Sequence, residues 1–173
     1  MSGALVRPSP SRRAFLRGRR QVDSRPRPPG AVDEALFVDR CIRCDGCVEA
    51  CPERVLVRAD GGFPILDPSL GECTFCGDCV AACADQALLP SLLAEWPWRA
   101  ALGAGCLSGQ GVVCQACRDA CGERAIRFPP GAGLGAPMID ASACSGCGAC
   151  IGACPTSALR LQRIAISQSA ASP

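Results

Sequence analysis

The stretch CIRCDGCVEAC at residues 41–51 decides how this chain folds. Its cysteines follow the spacing C-x2-C-x2-C-x3-C, and the same spacing returns in CTFCGDCVAAC at 73–83 and in CSGCGACIGAC at 144–154. A fourth group, CLSGQGVVCQACRDAC at 106–121, has the same ending but a first gap of seven residues. These groups contain all 16 cysteines of the 173-residue chain. A repeated unit built on cysteine therefore organises most of the sequence.

This spacing is typical of the runs that hold cubane iron–sulfur clusters, in which each of four irons binds one thiolate. Cysteines two residues apart wrap a tight loop around the cluster, and backbone N–H groups of the loop stabilise the charged sulfurs. Small residues such as Gly46 and Gly146 suit that close approach of the backbone. We therefore predict three to four [4Fe-4S] clusters as cofactors. The three regular runs supply the predicted metal ligands Cys41, Cys44, Cys47, Cys51, Cys73, Cys76, Cys79, Cys83, Cys144, Cys147, Cys150 and Cys154, and the irregular group supplies Cys106, Cys114, Cys117 and Cys121.

Other uses of cysteine fit the pattern less well. Disulfide proteins also have even cysteine counts, but they do not repeat one spacing so regularly. Structural zinc sites pair two C-x2-C knuckles across a longer loop and have no use for a third cysteine at the same gap. One alternative stays open at Cys106, which could be a linker thiol beside a labile or absent cluster.

Composition limits the function. Aromatic residues make up 4% of the chain, and Gly, Pro and Cys together number 50. This leaves too little bulky apolar material for an ordinary core, so the clusters must act as the core and supply folding free energy.

Histidine is absent, which excludes Rieske and histidine-haem ligation and a histidine general base. We expect no catalytic residues, no enzyme activity and, because the longest apolar stretch is broken by Pro and charged residues, no membrane span.

The sequence divides into two similar halves. Each half has two cysteine groups with a pair of short apolar runs between them, and in the first half an Asp-Gly turn at residues 60–61 indicates a hairpin. We predict an α+β fold made of tandem ferredoxin-like halves, each with small strands and short helices around two clusters. The predicted parts are a disordered Arg/Pro-rich tail at 1–30, a first half at 31–90, a linker at 91–105, a second half at 106–165 and a disordered C-terminus at 166–173.

The fourth cysteine of each run begins a helix that leads away from its own loop, and in two-cluster ferredoxins it binds the other cluster. This plan predicts crosswise pairing within each half. The predicted sets are Cys41, Cys44 and Cys47 with Cys83; Cys73, Cys76 and Cys79 with Cys51; Cys144, Cys147 and Cys150 with Cys121; and Cys106, Cys114 and Cys117 with Cys154.

Charge is distributed unevenly along the chain. Residues 1–30 have eight arginines and one acid, a net charge of +7, whereas residues 31–173 have ten arginines and fifteen acids, a net charge of −5. Four oxidised cubanes with their thiolates would lower the second value to about −13. A basic tail on an acidic body favours docking to a partner by complementary charge; a solvated tail without specific function is the alternative. The tail lacks interleaved aromatic residues, so we expect no nucleic-acid binding.

The tail contains the motif SRRAFLR at residues 11–17, which looks like part of a twin-arginine export signal. An apolar segment and a small-residue cleavage site should follow in such a signal, but here the sequence continues GRRQVDSR. We therefore expect a cytoplasmic protein in which the motif binds a partner.

Together these features resemble one family, the ferredoxin-type accessory proteins of periplasmic nitrate reductase systems (NapF). The resemblance covers nearly the whole chain. It includes the Ser-Arg-Arg opening, RPP at 27–29, CIRCD at 41–45, DGGFP at 60–64, ECTFC at 72–76, Cys106-Leu107, GVVC at 111–114 and CSGCGAC at 144–150. The opening motif and the long Cys106–Cys114 gap are the specific features, because the cysteine runs alone are generic.

The resemblance implies a cytoplasmic protein that contacts the molybdenum-containing catalytic subunit of periplasmic nitrate reductase before its export. There it would take part in maturation by supplying electrons or helping a cluster form. The alternative from the residues alone is a general single-electron carrier between redox enzymes. A cluster-donating scaffold is a third reading. The tail favours the first hypothesis, because a simple carrier does not need it.

Overall fold

The computed structural model describes residues 25–59, 61–130 and 134–164. It has the predicted α+β character, with short helices and small two-stranded sheets. The expected disorder of residues 1–24 and 166–173 concerns segments that lie outside the described residues. In the described part of the chain, no helix is long and apolar enough to cross a membrane.

Short elements follow one another in the order expected of two repeated halves. The helices are α1 (Glu34–Arg40), α2 (Gly46–Glu49), α3 (Asp78–Ala81), α4 (Ala116–Asp119) and α5 (Ala149–Gly152). The strands are β1 (Leu56–Arg58), β2 (Pro64–Leu66), β3 (Trp98–Leu102), β4 (Ile126–Arg127), β5 (Met138–Ile139) and β6 (Leu159–Arg163), and 3-10 turns lie at Pro90–Leu92 and Ser108–Gln110.

The hairpin predicted in the first half is confirmed. Strands β1 and β2 pair antiparallel, with Val57 opposite Ile65. Gly61 and Gly62 lie in the turn at φ +85° and +79°, a conformation that glycine adopts without steric cost. The N–H of Ala59 closes the turn on the carbonyl of Phe63 at 2.9 Å. Ile65 is fully buried, so the hairpin contributes its inner face to the core.

The second half repeats this arrangement. Strands β4 and β5 form the corresponding antiparallel pair, with Ile126 opposite Ile139. A small core forms around Ile126, Cys150 and Leu159. The first half has the larger core, which includes Phe37 and Trp96. In both halves, cysteines pack against the apolar core residues, as expected when clusters complete the interior.

The segment assigned to a linker at 91–105 contains strand β3, which pairs along its full length with β6. Ala100 lies opposite Leu161 at the centre of this sheet. This pairing places residues 98–102, which the sequence predicts to be linker, in one sheet with β6 of the second half. In the first half the equivalent outer pairing is a single bridge between Ala31 and Leu88. Pro97 directly before the strand and the lack of polar–apolar alternation in WRAAL leave no sequence pattern that predicts it.

The tail assigned to residues 1–30 also ends earlier than predicted. Residues 25–30 pack against the first half, and Pro28 and Pro29 are among its most deeply buried side chains. The carbonyl of Pro26 accepts a hydrogen bond from the N–H of Leu66 at 2.8 Å. Proline needs no hydrogen bond for its own nitrogen, so this short extended segment covers the core without unpaired donors.

Candidate iron–sulfur sites

Four cavities in the structure are each lined by four cysteines, and the sets are those predicted by crosswise pairing. We call these cavities sites A to D. Site A has Cys41, Cys44, Cys47 and Cys83; site B has Cys51, Cys73, Cys76 and Cys79; site C has Cys121, Cys144, Cys147 and Cys150; and site D has Cys106, Cys114, Cys117 and Cys154.

The arrangement of the thiols around these cavities fits a cluster better than a single ion. Within residues 25–59, 61–130 and 134–164, no three Cys, Asp or Glu side chains converge closely enough to hold one metal ion. A tetrahedral zinc site would need four sulfurs close around one point. Four thiols spaced around a cavity instead match a cubane, which takes one thiolate at each iron.

The loops of the three regular runs share one backbone conformation. The residue two places after the first cysteine has positive φ in each, at Arg43 (+63°), Phe75 (+54°) and Gly146 (+77°). The residue after the second cysteine is also left-handed, and it precedes a short helix that carries the third cysteine. In each run the two left-handed residues are separated by one residue, and together they turn the backbone around the cavity. The regular cysteine spacing therefore gives the same loop around each of these three sites.

The Cys106 group differs from the regular runs in the backbone before its third cysteine but matches them after its last cysteine. A 3-10 turn at Ser108–Gln110 fills the long gap, and Gln115 before helix α4 has φ −133° in place of a left-handed conformation. Three residues after its last cysteine, however, Arg124 has φ +53°, matching Arg54, Gln86 and Ser157 in the other runs. The structure still brings Cys106 to site D. Whether it binds iron stays a prediction.

The thiols lie in partly desolvated surroundings. Burial raises the pKa of Cys79 to about 12, and the charges of Cys73 and Cys47 add to the effect. Burial likewise raises the pKa of Cys150 to about 12, with further contributions from neighbouring cysteines. A bound cluster removes this penalty because iron replaces the proton on each sulfur. Sites B and C therefore favour the neutral form of these two thiols when no metal is bound.

Backbone amides point at the fourth cysteines of the second half. The N–H of Ala125 lies 3.4 Å from Sγ of Cys121, and the N–H of Ala158 lies 3.3 Å from Sγ of Cys154. Burial raises the pKa of the Cys154 thiol, but N–H groups including those of Thr156 and Ala158 outweigh it, so the net shift is downward. These donors stabilise a thiolate, which is the form that binds iron.

The sites differ in their access to solvent. Cys44 in site A and Cys76 in site B are exposed. Apolar side chains beside two of the sites are exposed as well, Ile42 at 63% next to site A and Val113 at 66% next to site D. Nothing in the sequence around Ile42 and Val113 indicates that these two apolar side chains face outward.

Two family models match the chain, one in each half. Both describe a 4Fe-4S dicluster domain, and they cover residues 40–88 and 112–158. Each match contains two cysteine groups, except that the second begins after Cys106. The chain therefore contains iron–sulfur dicluster domains in tandem.

Several known proteins are similar over most of the chain. The ferredoxin-type protein NapF of Escherichia coli K12 is 39% identical over 151 residues, which cover 86% of this chain and 92% of that protein. NapF of Haemophilus influenzae is 38% identical over 136 residues, covering 78% and 77%. The methylamine utilization ferredoxin-type protein MauM of Methylophilus methylotrophus is 36% identical over 161 residues, covering 77% and 70%.

Proposed function

Because the chain belongs to the NapF family of ferredoxin-type proteins, we propose that it is a cytoplasmic iron–sulfur accessory protein of periplasmic nitrate reductase. It binds the catalytic subunit before export and takes part in its maturation, by electron transfer or by cluster assembly. It has no enzyme activity of its own. The observation that carries the iron–sulfur part of this proposal is the set of cavities lined by Cys41, Cys51, Cys106, Cys121 and their partners.

All four sites take a cluster in this proposal. Site D has the same number of cysteines as the others, and Leu102, Phe128 and Leu159 line it beside them. The different entry of the Cys106 loop does not remove a ligand. When bound, [4Fe-4S] clusters supply one-electron redox chemistry. The chain supplies the thiolates, the amides that stabilise them and the apolar residues that limit access of water.

The basic tail is the proposed element for recognition of the partner. Its charge is opposite to that of the cluster-bearing body, and SRRAFLR at 11–17 has a second arginine pair nearby at Arg19 and Arg20. This gives a matched control. Replacing Arg12 and Arg13 with Gln removes the motif, whereas replacing Arg19 and Arg20 with Gln removes the same charge outside it.

The test is an anaerobic pull-down of the nitrate reductase catalytic precursor by the cluster-loaded chain. Full-length protein and the Arg19/Arg20 variant should retain the precursor, and the Arg12/Arg13 variant and a chain lacking residues 1–24 should not. Deletion should stop at residue 24, because residues 25–30 are part of the fold. Equal capture by all four proteins would exclude the tail, and no capture by any would exclude this partner.

A general single-electron carrier is the second candidate. The exposed positions of Cys44 and Cys76 favour it, because exposed cluster ligands shorten the path to a redox partner. The relation to MauM also shows that this architecture is not confined to NapF proteins. If the catalytic precursor is not captured and the clusters exchange electrons rapidly with small soluble redox proteins, the carrier function replaces the accessory one.

A further inference from the structure

The two halves meet at the loops that carry sites B and C. The backbone N–H of Cys73 in site B donates a hydrogen bond to the carbonyl of Cys147 in site C at 2.8 Å. This bond joins ligands of two different halves directly, without an intervening side chain. Sites B and C are therefore neighbours across the boundary between the halves.

Trp96 contacts the loops of both site B and site C at this junction. It is buried at 7% exposure in the core of the first half. Its ring meets Phe75, in the loop of site B, edge-on at 6.0 Å between centroids. Its Nε1–H donates to the carbonyl of Gly146, in the loop of site C, at 3.3 Å. One indole thus contacts both loops.

Two glycines allow the loops to approach so closely. A Cβ on Gly146 would lie 2.1 Å from the carbonyl oxygen of Trp98 and 2.7 Å from Nε1 of Trp96. A Cβ on Gly148 would lie 2.6 Å from Cβ of Pro68. Both positions have positive φ, +77° and +92°. A side chain at Gly146 would have to push the site C loop away from Trp96, in the core of the first half, and from strand β3 at Trp98.

Within each half the two sites adjoin as well. Cys47 of site A and Cys79 of site B lie on the neighbouring short helices α2 and α3. Cys117 of site D and Cys150 of site C lie on α4 and α5, which are also in contact. The junction between sites B and C therefore connects the pair of sites A and B in the first half to the pair C and D in the second half.

We propose that the contact between the Cys73 and Cys147 loops joins the four sites into one row, in the order A, B, C, D, so that the halves act as a single redox unit. The proposal rests on the presence of clusters in these sites. Clusters bound at these sites would supply one-electron chemistry, in which the electron lost by one cluster would reduce the next without making or breaking a bond. A one-electron reductant supplies the first electron, and dithionite serves in the test.

The test compares two variants of the full chain by electron paramagnetic resonance after reduction with dithionite. One keeps sites B and C only, with Cys41, Cys44, Cys106 and Cys114 changed to Ala. The other keeps A and D only, with Cys51, Cys76, Cys121 and Cys144 changed to Ala. Iron and sulfide are measured on each, so that failure to hold clusters is distinguished from failure of the junction.

The variant with B and C should give a broadened spectrum with fast spin relaxation, because two reduced clusters interact across the junction. The variant with A and D should give the sharper spectrum of separate clusters. If the variant with B and C holds two clusters per chain and its spectrum is that of separate clusters, the proposal is wrong.

A second comparison, in the otherwise unchanged chain, decides the matter if the cysteine variants fail to load. Gly146→Ala should lose part of the interaction broadening. Gly122→Ala is the matched control, because it follows a site C ligand and its Cβ would meet nothing within 4 Å. It should retain the spectrum of the unsubstituted protein. An unchanged spectrum in Gly146→Ala at full iron content would overturn the proposal.

Discussion

The guanidinium of Arg27 binds the carboxylate of Glu34 through two hydrogen bonds, from Nε at 3.0 Å and from Nη2 at 2.7 Å. The same guanidinium lies 5.0 Å from the ring centroid of Phe37 and 5.4 Å from that of Phe63. A residue from the supposed tail thus ties the N-terminal segment to helix α1 and to the hairpin.

Arg27→Ala should therefore destabilise the first half by about 2 kcal/mol, because it removes a partly buried ion pair and two cation–π contacts. The side chain of Arg27 is only 13% exposed. The measurement is the denaturant midpoint at which the cluster-loaded protein loses its visible absorbance under anaerobic conditions. Arg118→Ala is the control, since Arg118 pairs with Asp119 on the surface, and it should change stability by less than about 0.5 kcal/mol. Equal midpoints for both variants would contradict the prediction.

Deletion at the N-terminus should show where the fold begins. Removal of residues 1–24 is expected to leave the denaturant midpoint and the iron content unchanged. Removal of residues 1–30 should cost about 3 kcal/mol or more, because it exposes the core face covered by Pro28 and Pro29. Two deletions with the same midpoint would show that the segment at 25–30 adds nothing.

Cysteine spacing was enough to predict the sets of cysteines that share a site, because the runs impose a local loop and the ferredoxin plan fixes which run supplies the fourth thiol. The hairpin of β1 and β2 was predictable for a similar reason, since Gly61 and Gly62 mark its turn. Strand β3 was not predictable in this way, because it pairs with β6, about 60 residues further along the chain. A local sequence pattern does not indicate such a long-range pairing.

The junction between the halves was hidden for the same physical reason. Gly146 could be assigned to a cluster loop from its neighbours in the sequence, but nothing in the sequence places Trp96 over it. The packing of Pro28 and Pro29 was missed because an Arg/Pro-rich composition is typical of disorder, whereas here the prolines cover apolar side chains.

Cys106→Ala should lower the iron content by about a quarter if all four sites are filled, because site D loses one of its four thiolates. Iron and acid-labile sulfide per chain are the measurements. Cys44→Ala, in a regular run, should lower iron by the same amount. Val113→Ala, an exposed neighbour of site D, should leave it unchanged. Full iron content in Cys106→Ala would identify Cys106 as a linker thiol.

Complete removal of iron should leave the chain largely unfolded. Sixteen cysteines line the four cavities, and without clusters the cavities lose the contacts that fill them. Far-ultraviolet circular dichroism and amide chemical-shift dispersion, measured before and after anaerobic chelation, test this. A well-dispersed spectrum of the iron-free chain would show that the apolar core suffices by itself.

Cluster assembly should become more favourable as the pH rises from 7 to 9. Burial raises the pKa of Cys79 and Cys150 to about 12, so these thiols are protonated at neutral pH. Iron binds the thiolate, and each ligand must therefore give up a proton on assembly. Each unit of pH lowers the cost of removing one such proton by about 1.4 kcal/mol. Because burial raises the pKa of these thiols well above 9, they stay protonated from pH 7 to pH 9, and the cost of deprotonation falls over the whole of this range.

The measurement is the yield of clusters from the iron-free chain with ferrous iron and sulfide at pH 7, 8 and 9, together with the protons released in a pH-stat. The same reagents without protein give the blank, which corrects for titration of sulfide itself. The Cys106→Ala chain is the control and should release fewer protons at each pH, because one site lacks a ligand. A yield that stays constant or falls between pH 7 and 9 after correction would show that deprotonation of the buried thiols does not limit assembly.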